Sequence, residues 1–329
     1  MIVVEGVSKY YGRNPAVRDL SFQIEEGECV GFLGLNGAGK STTLRMLSCL
    51  LLPTSGAIRV GGFDAEREPH EIRKLIGYLP DTPPVYPEMR VDEFLRFAGR
   101  LRRMTSKQVD ARMPTVLEKT GLADVFDAPI ETLSHGYRQR VGIAQAMIHE
   151  PKLLILDEPV QGLDPVQIVE MRELIRSLRG EHTILLSSHL LSEIERTCDR
   201  ILILKEGRIL ASGTEDEVVT QMRAQPAGYR EAVNKQWTLV EVRGGEAEVR
   251  AALAVGDLTI MELTRAAGGI CRLKVQSGAD PRELVAKQIV EAGLGLLTLT
   301  RSQSALEDVF VQLSHTGDGD AAAPGGAEA

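Results

Sequence analysis

The chain has 329 residues, 43% of them hydrophobic and 26% charged, which describes a globular protein large enough to bury a core without disulfides or structural metals. Its net charge of −8 argues mildly against non-specific nucleic-acid binding, which needs concentrated lysine and arginine, although it does not exclude a local basic patch. No apolar run reaches the roughly 20 residues that span a bilayer, so a role at a membrane would require another chain to supply the span.

The first part of the chain is rich in β-forming residues and leads into a glycine-rich loop. Strands are predicted at residues 2–7 and 20–24, and the apolar run at 29–33 predicts a buried strand. A helix is predicted after the loop, because leucines recur at helical spacing until Pro53 ends the pattern. This strand, loop and helix are the context in which phosphate-binding loops occur.

The glycine-rich loop matches the P-loop form G-x-x-x-x-G-K-[ST]. Its glycines let backbone N–H groups turn towards phosphates, and the helix that follows adds the favourable potential of its N-terminus. Lys40 is predicted to reach the β- and γ-phosphates, and the Ser41 hydroxyl to ligate Mg²⁺. The residues predicted to bind the nucleotide in this loop are Gly34, Asn36, Gly37, Ala38, Gly39, Lys40, Ser41 and Thr42.

A helical block is predicted over about residues 84–150. Apolar residues recur at helical spacing from Val91, and a second helix over 107–120 is closed by Gly121. A third helix is predicted to start near Ser134. Because these helices interrupt a strand-rich chain, they predict a helical subdomain.

The apolar run at 153–156 ends in two acids, in the pattern of a Walker B strand. Asp157 is predicted to hold the metal, usually through water, and Glu158 to act as general base towards the water that attacks the γ-phosphate. Such a pattern is common by itself, so the prediction depends on the P-loop. The distance along the chain from Lys40 is interpreted as two adjacent strands with a long insertion between them.

The rest of the chain predicts a mostly parallel sheet flanked by helices and then a second, smaller domain. A helix is predicted at 166–178, a buried strand at 183–187 and a hairpin at 200–212. The predicted boundaries are a first domain over 1–224, a linker over 225–236, an accessory domain over 237–315 and a disordered tail over 316–329. The accessory domain reads β-α-β-β-α-β, followed by a helix at 304–314, and predicts a ferredoxin-like α+β sandwich.

A serine-led motif before the Walker B acids resembles the signature of the ABC ATPase family. Residues 133–140 read Leu-Ser-His-Gly-Tyr-Arg-Gln-Arg, and the family form is Leu-Ser-Gly-Gly-Gln followed by basic residues. Ser134 and Gly136 are retained, whereas His135 and Tyr137 depart from the usual pattern. In ABC proteins this motif faces the γ-phosphate bound by the other subunit, so the resemblance implies that Ser134 and Gly136 contact ATP there.

Further positions resemble the family in chain order. Tyr11 resembles the aromatic platform for adenine, with Tyr10 as a competing candidate and a packing role as the alternative for either. Asp164 closes a D-loop-like segment and is included among the ATP-binding residues, and His189 resembles the switch histidine that contacts the γ-phosphate. Asp81 stands where the family usually has glutamine; it is predicted to contribute to the Mg²⁺ site, and a simple turn role is the alternative.

The resemblance implies the α/β P-loop NTPase fold of ABC ATPases, with a helical subdomain and the small α+β domain appended. It implies that Lys40, Glu158 and His189 catalyse the hydrolysis of ATP with Mg²⁺. Two copies would sandwich two ATP molecules head to tail, and their closure would drive an integral membrane permease. The form of the signature is similar to that of multidrug, polysaccharide and gliding-motility exporters. This resemblance implies a location at the cytoplasmic face of the membrane, through the membrane partner, and no nucleic-acid partner.

The rival function is a soluble ABC ATPase acting on nucleic acid or ribosomes. Such proteins usually carry tandem ATPase halves, long coiled coils or zinc cysteines, and the sequence has none of these patterns. The transported substrate and the direction of transport stay open at the level of sequence.

Overall fold

The computed structural model describes residues 1–223, 236–254, 258–266, 268–277 and 280–301. The chain divides into two compact units between Glu215 and Asp216, earlier than the boundary after residue 224 in the sequence analysis. The last strand of the first unit's sheets ends at Gly213, and the helix that follows falls almost wholly in the second unit.

The first unit contains two sheets and seven α-helices among its described residues. Its strands are β1 (Ile2–Tyr11), β2 (Asn14–Ile24), β3 (Cys29–Gly34), β4 (Ser55–Val60), β5 (Phe63–Asp64), β6 (Ile76–Leu79), β7 (Leu153–Asp157), β8 (Thr183–Ser188), β9 (Arg200–Lys205) and β10 (Arg208–Gly213). Its helices are α1 (Lys40–Leu47), α2 (Pro69–Leu75), α3 (Val91–Leu101), α4 (Ser106–Thr120), α5 (His135–Met147), α6 (Pro165–Ser177) and α7 (Leu191–Thr197), with short 3₁₀ turns at Ala123–Val125 and Ile130–Thr132.

The larger sheet has the strand order β10-β9-β3-β8-β7-β6 and is parallel except for β10. Strands β3, β7 and β8 are buried along their whole length, which is why each of them contains an apolar run. The prediction that the P-loop strand and the Walker B strand are adjacent is wrong, because β8 lies between β3 and β7. Spacing along the chain does not reveal which later strand enters that gap.

The smaller sheet is antiparallel, with the order β2-β1-β4-β5. Its buried face shares one core with the parallel sheet and α1, as the cluster containing Ile2, Phe32 and Leu47 demonstrates. The hairpin between β9 and β10, predicted at 200–212, is present and turns at Glu206 and Gly207.

The predicted helical block is present as α3, α4 and α5. These helices enclose their own apolar core, which includes Phe94, Leu95 and Val116. Helix α4 begins at a Thr105 cap whose hydroxyl accepts a hydrogen bond from the Gln108 N–H, and ends at Gly121 with a φ of 65°. This subdomain carries the serine-led motif at the start of α5.

The second unit contains helix α8 (Glu215–Arg223), apart from its first residue, and the predicted β-α-β-β-α-β succession. Its elements are β11 (Gln236–Arg243), α9 (Glu246–Ala252), β12 (Thr259–Ala266), β13 (Ile270–Ser277), α10 (Arg282–Glu291) and β14 (Gly295–Arg301). The sheet is antiparallel with the order β12-β13-β11-β14, which is the ferredoxin-like arrangement predicted from the sequence. Most of the predicted linker, the helix at 304–314 and the tail at 316–329 lie outside the described residues.

Across the part of the chain that the structure describes, no helix combines the length and apolar character required to cross a bilayer.

Candidate active site

The P-loop follows β3 and is held by close backbone contacts with strand β2 and with the β9–β10 turn. Gly39 has a φ of 104°, and a Cβ at this position would lie 2.6 Å from the Ala16 carbonyl oxygen, so only glycine fits. The N–H of Gly207, in the β9–β10 turn, donates to the Ala38 carbonyl at 3.0 Å. The loop is therefore shaped before any phosphate arrives.

A cavity of about 350 Å³ opens over this loop and contains most of the residues predicted to act on the nucleotide. It is lined by Ala16, Leu35, Asn36, Gly37, Gly39, Lys40, Ser41, Thr42, Asp81, Glu158, Gln161 and His189. Parallel strands bring their carboxyl ends to one edge of the sheet, which is why the segments after β3, β6, β7 and β8 meet here. Gly34 and Ala38 support the loop without lining the cavity.

Three side chains form a connected chain across the cavity floor. The Lys40 ammonium donates to the Gly34 carbonyl at 2.6 Å and lies 3.3 Å from Oε1 of Glu158. The other carboxylate oxygen, Oε2, lies 2.8 Å from Nδ1 of His189. Lys40 and Glu158 are buried, with 6% and 7% of their surface exposed, so this ion pair is little screened by water. The arrangement holds an acceptor carboxylate where a phosphate-bearing ligand would enter.

Asp157 lies behind Glu158 and is almost fully buried. The Ser187 hydroxyl donates to its Oδ1 at 2.6 Å, and the same hydroxyl accepts the Glu158 N–H at 3.0 Å. Burial is the largest influence on Asp157 and raises its pKa, with hydrogen bonds from Ser187 and Ser41 acting in the opposite direction. Among the described residues this buried carboxylate has no basic partner, and such a position is favourable for a cation.

Asp81, the residue in the usual place of glutamine, lines the same cavity. Its Oδ1 accepts the N–H of Thr82 at 2.9 Å, and its charge also raises the pKa of Asp157. The structure thus brings Asp81 near the predicted metal ligands, and it shows the turn contact as well.

The serine-led motif lies in a different place. Ser134 caps α5, accepting the Tyr137 N–H at 3.4 Å, and Asp164 caps α6, accepting the N–H groups of Val166 and Gln167 at 3.0 Å. Gly136 packs so closely on α6 that a Cβ would approach the Gln167 amide oxygen to 2.8 Å. These residues line a second cavity of about 830 Å³ between the two helices. One chain therefore keeps its P-loop residues and its serine motif in separate cavities.

Tyr11 lies outside both cavities. Its ring is half exposed at 50%, with the Lys9 ammonium 5.8 Å from the ring centroid, and neighbouring Tyr10 is exposed to a similar degree. An aromatic platform is still compatible with this exposure, and the adenine role of Tyr11 stays a prediction.

Four residues of this site were not among the predicted ones. Ala16, Leu35 and Gln161 line the P-loop cavity, and Ser187 joins the two Walker B acids. A polar residue ending an apolar strand was the available signal for Ser187. Nothing in the sequence marks Ala16, because its contribution is a backbone carbonyl and a small side chain.

Comparison with known proteins identifies the family. Residues 17–161 match the ABC transporter domain. The chain is 33% identical over 326 residues to the linearmycin resistance ATP-binding protein LnrL of Bacillus subtilis, covering 95% of this chain and 98% of that protein. It is 35% identical over 315 residues to the bacitracin transport ATP-binding protein BcrA of Bacillus licheniformis, covering 95% and 97%.

Solved structures agree with this assignment. The ATP-binding subunit of an ABC transporter matches 69% of this chain and 95% of its own length, with 35% identity and a TM-score of 0.62. A dimeric ATP-binding cassette captured after hydrolysis with ADP and phosphate matches 65% of this chain and 98% of its own length, with 25% identity and a TM-score of 0.60. With the P-loop cavity and the Walker B acids in place, the chain belongs to the ATP-binding proteins of ABC transporters and is an ATPase of that family.

Proposed function

We propose that this protein is the motor of an ABC exporter and works as a head-to-tail dimer that closes on two ATP molecules. The observation that carries the proposal is the separation of the P-loop cavity from the serine-motif cavity within one chain. Each cavity presents half of the groups that surround a γ-phosphate in this family. A two-fold pair of chains would supply both halves to each ATP.

On the P-loop side, the backbone N–H groups after Gly37 and the Lys40 ammonium bind the phosphates. When Lys40 turns to a phosphate, Oε1 of Glu158 loses its ion pair and becomes available to a water molecule. That water attacks the γ-phosphorus, its proton passes to Glu158, and ADP departs with the bridging oxygen. His189 holds the carboxylate through Oε2 and keeps Oε1 directed at the water.

The proposed metal is Mg²⁺, held by the Ser41 hydroxyl and by Asp157 through water, with Asp81 nearby. The fit rests on Asp157, whose carboxylate has hydroxyl partners and, among the described residues, no basic one. Burial raises the pKa of this carboxyl group. When bound, Mg²⁺ would neutralise charge on the phosphate oxygens. The protein's contribution is to keep hard oxygen ligands together at the edge of the sheet.

On the other side, Ser134 and Gly136 would meet the ATP of the second chain, with Asp164 at the same surface. The start of α5 carries the backbone N–H groups of a helix N-terminus, which favour an anion. Tyr11 would stack on adenine. Binding of two nucleotides closes the pair, and hydrolysis separates it.

The proposed membrane partner docks in a cleft of about 790 Å³ between α2 and the helical block. Arg73 and Arg102 line this cleft, and their side chains donate to the backbone carbonyls of Cys49 and Arg73. The exposed Leu50 and Leu101 flank it. Such a surface fits a permease segment that carries apolar and acidic side chains.

The cleft is joined to the nucleotide cavity by strand β6. Tyr78 in β6 lines the cleft, and Asp81, just after the strand, lines the nucleotide cavity. A displacement of β6 at the cleft would therefore also move Asp81 at the nucleotide cavity. Export is supported by the names of relatives, which include linearmycin resistance, bacitracin transport and Nod factor export. We therefore propose that the protein works at the cytoplasmic face of a membrane.

The test of the motor is Glu158→Gln, which keeps the shape of the side chain and removes the base. We expect ATP turnover to fall about 100- to 10,000-fold, while ATP with Mg²⁺ converts the protein into a stable dimer on size-exclusion chromatography. Glu150→Gln is the control, since Glu150 is exposed and has a similarly positive φ of 54°. Undiminished turnover in Glu158→Gln would remove Glu158 from the mechanism.

The test of the partner is affinity purification of the full chain from solubilised membranes, with mass spectrometry of what co-purifies. A multi-spanning permease is expected, and Arg73→Glu with Arg102→Glu should reduce its recovery. Recovery of ribosomes or nucleic acid in its place would support the rival function of a soluble ABC ATPase.

A further inference from the structure

His135, which stands where the family signature usually has glycine, contacts the loop that follows Walker B. Its Nε2 lies 3.0 Å from the Gln161 carbonyl oxygen, and since a carbonyl can only accept, Nε2 carries the proton and donates. A Cβ on Gly162 would lie 3.3 Å from the same nitrogen. The imidazole thus rests directly on the loop backbone.

The loop that His135 touches belongs to the catalytic cavity. Gln161 lines that cavity, and its N–H donates to the Glu158 carbonyl at 3.1 Å. Glu158 and Gly162 both have positive φ, at 49° and 74°, so the loop is bounded by two left-handed residues. A non-glycine residue in this region is strained, and its conformation persists only where its surroundings hold it. The conformation of the turn that orients Glu158 therefore depends on the few residues that contact this loop, and His135 is one of them.

The other residue of this contact, His135, belongs to the signature half-site. His135 directly follows the Ser134 cap and precedes Gly136 at the start of α5. Its side chain is exposed in the single chain. Water competes for an exposed hydrogen bond, whereas a second copy covering this surface would exclude water and strengthen it.

We propose that His135 is a positioning residue that connects the signature half-site to the catalytic loop of the same chain. A nucleotide brought by the second copy would order the start of α5, and the bond from His135 to Gln161 would transmit that order to Glu158. The inference rests on the proposed head-to-tail dimer. It adds a link within one chain, which makes each catalytic glutamate responsive to the nucleotide on the opposite side.

The test compares His135→Ala, which removes the donor, with His135→Gln, whose amide can still donate. With Ala we expect turnover at saturating ATP to fall about 2- to 10-fold, as for the loss of one neutral hydrogen bond. The Hill coefficient for ATP should fall towards one, and the affinity of the P-loop for nucleotide should stay unchanged. Gln should retain most of the turnover and of the cooperativity. His70→Ala, at another exposed histidine, is the control.

A second measurement does not depend on turnover. Hydrogen exchange of the amides in residues 160–163 should be several-fold faster in His135→Ala than in wild type without nucleotide, and unchanged in His135→Gln. If exchange and turnover are both unaffected by Ala, the proposal is wrong. If exchange rises while turnover and cooperativity do not change, the bond transmits nothing and the proposal is also wrong. If the wild-type protein turns over ATP without forming a dimer, the proposed head-to-tail dimer is wrong. The hydrogen-exchange comparison would still test whether the contact between His135 and Gln161 holds the loop.

Discussion

The P-loop half and the signature half of the proposed ATP site differ in how far the single chain completes them. In the P-loop half, Lys40 and Glu158 are buried and bonded to each other, to backbone and to His189. In the signature half, Ser134 and His135 are exposed, and their contacts are helix caps and single hydrogen bonds.

This difference indicates what each half can do by itself. A buried, cross-linked set of groups is preorganised, so nucleotide binding should need only the single chain. An exposed helix start has little effect on an anion while water surrounds it, and gains strength once a second surface excludes water. Nucleotide binding should therefore depend on the P-loop half alone, whereas ATP turnover should require both halves.

The largest effect is expected from Gly39→Ala, which attacks the P-loop half. The new Cβ would meet the Ala16 carbonyl oxygen at 2.6 Å in a backbone conformation unfavourable to alanine. We expect nucleotide affinity to fall on the order of 100-fold or more, measured with a fluorescent ATP analogue. Gly180→Ala is the matched control, with a φ of 84° and open space around its Cβ. Equal loss in both variants would mean that backbone strain alone is responsible.

A smaller effect, confined to turnover, is expected from Ser134→Ala. The substitution removes the Ser134 hydroxyl, which would donate a hydrogen bond to the phosphate of the opposing ATP. Hydrogen bonds to charged groups contribute about 1.5–3 kcal/mol, or roughly 10- to 100-fold in rate. Nucleotide affinity of the single chain should not change. Thr105→Ala controls for the lost helix cap, because Thr105 caps α4 in the same way. A loss of nucleotide affinity in Ser134→Ala would contradict the prediction that nucleotide binding depends on the P-loop half alone.

Tyr11→Ala should have a modest effect on the P-loop half. Loss of an aromatic stacking partner should raise the ATP KM about 2- to 10-fold, while Tyr11→Phe should behave as wild type. Steady-state kinetics with ATP and GTP measure this, since a platform accepts either base face. The same change at Tyr10 separates the two candidates: a larger effect at Tyr10 would reassign the platform.

The smallest effect is expected on stability, from Asp157→Asn without Mg²⁺. Folding raises the pKa of Asp157, chiefly through burial. Ionisation therefore opposes folding, and the stability of the wild type falls as pH rises through the folded pKa. We expect Asp157→Asn to raise the melting temperature by a few degrees at pH 7. The gain should vanish as pH falls below the ordinary value of 3.8.

Asp124→Asn, at an exposed acid, should leave the melting temperature unchanged over the same pH range. A melting temperature lowered by Asp157→Asn at pH 7 would mean that the ionised carboxylate is already compensated in the folded chain.

Local patterns predicted much of the fold and of the P-loop half. The alternation of strand-like and helix-like segments in the second unit correctly predicted all six elements from β11 to β14. The P-loop sequence correctly predicted a loop between a strand and a helix, and that helix begins with Lys40 and Ser41. These predictions succeeded because the spacing of hydrophobic residues and the presence of glycine-rich turns are properties of consecutive residues. The strand order failed, since no local pattern states that β8 pairs with both β3 and β7.

The sequence by itself determined which groups are available: a phosphate loop, two acids after a buried strand, a serine-capped helix and a histidine after β8. The tertiary structure decided which of them meet. The insertion of β8 places Ser187 beside Asp157 and brings His189 to Glu158, whereas the helical block carries Ser134 to another cavity. The physical reason is that residues far apart in the chain meet only through sheet pairing and helix packing, which depend on the whole fold.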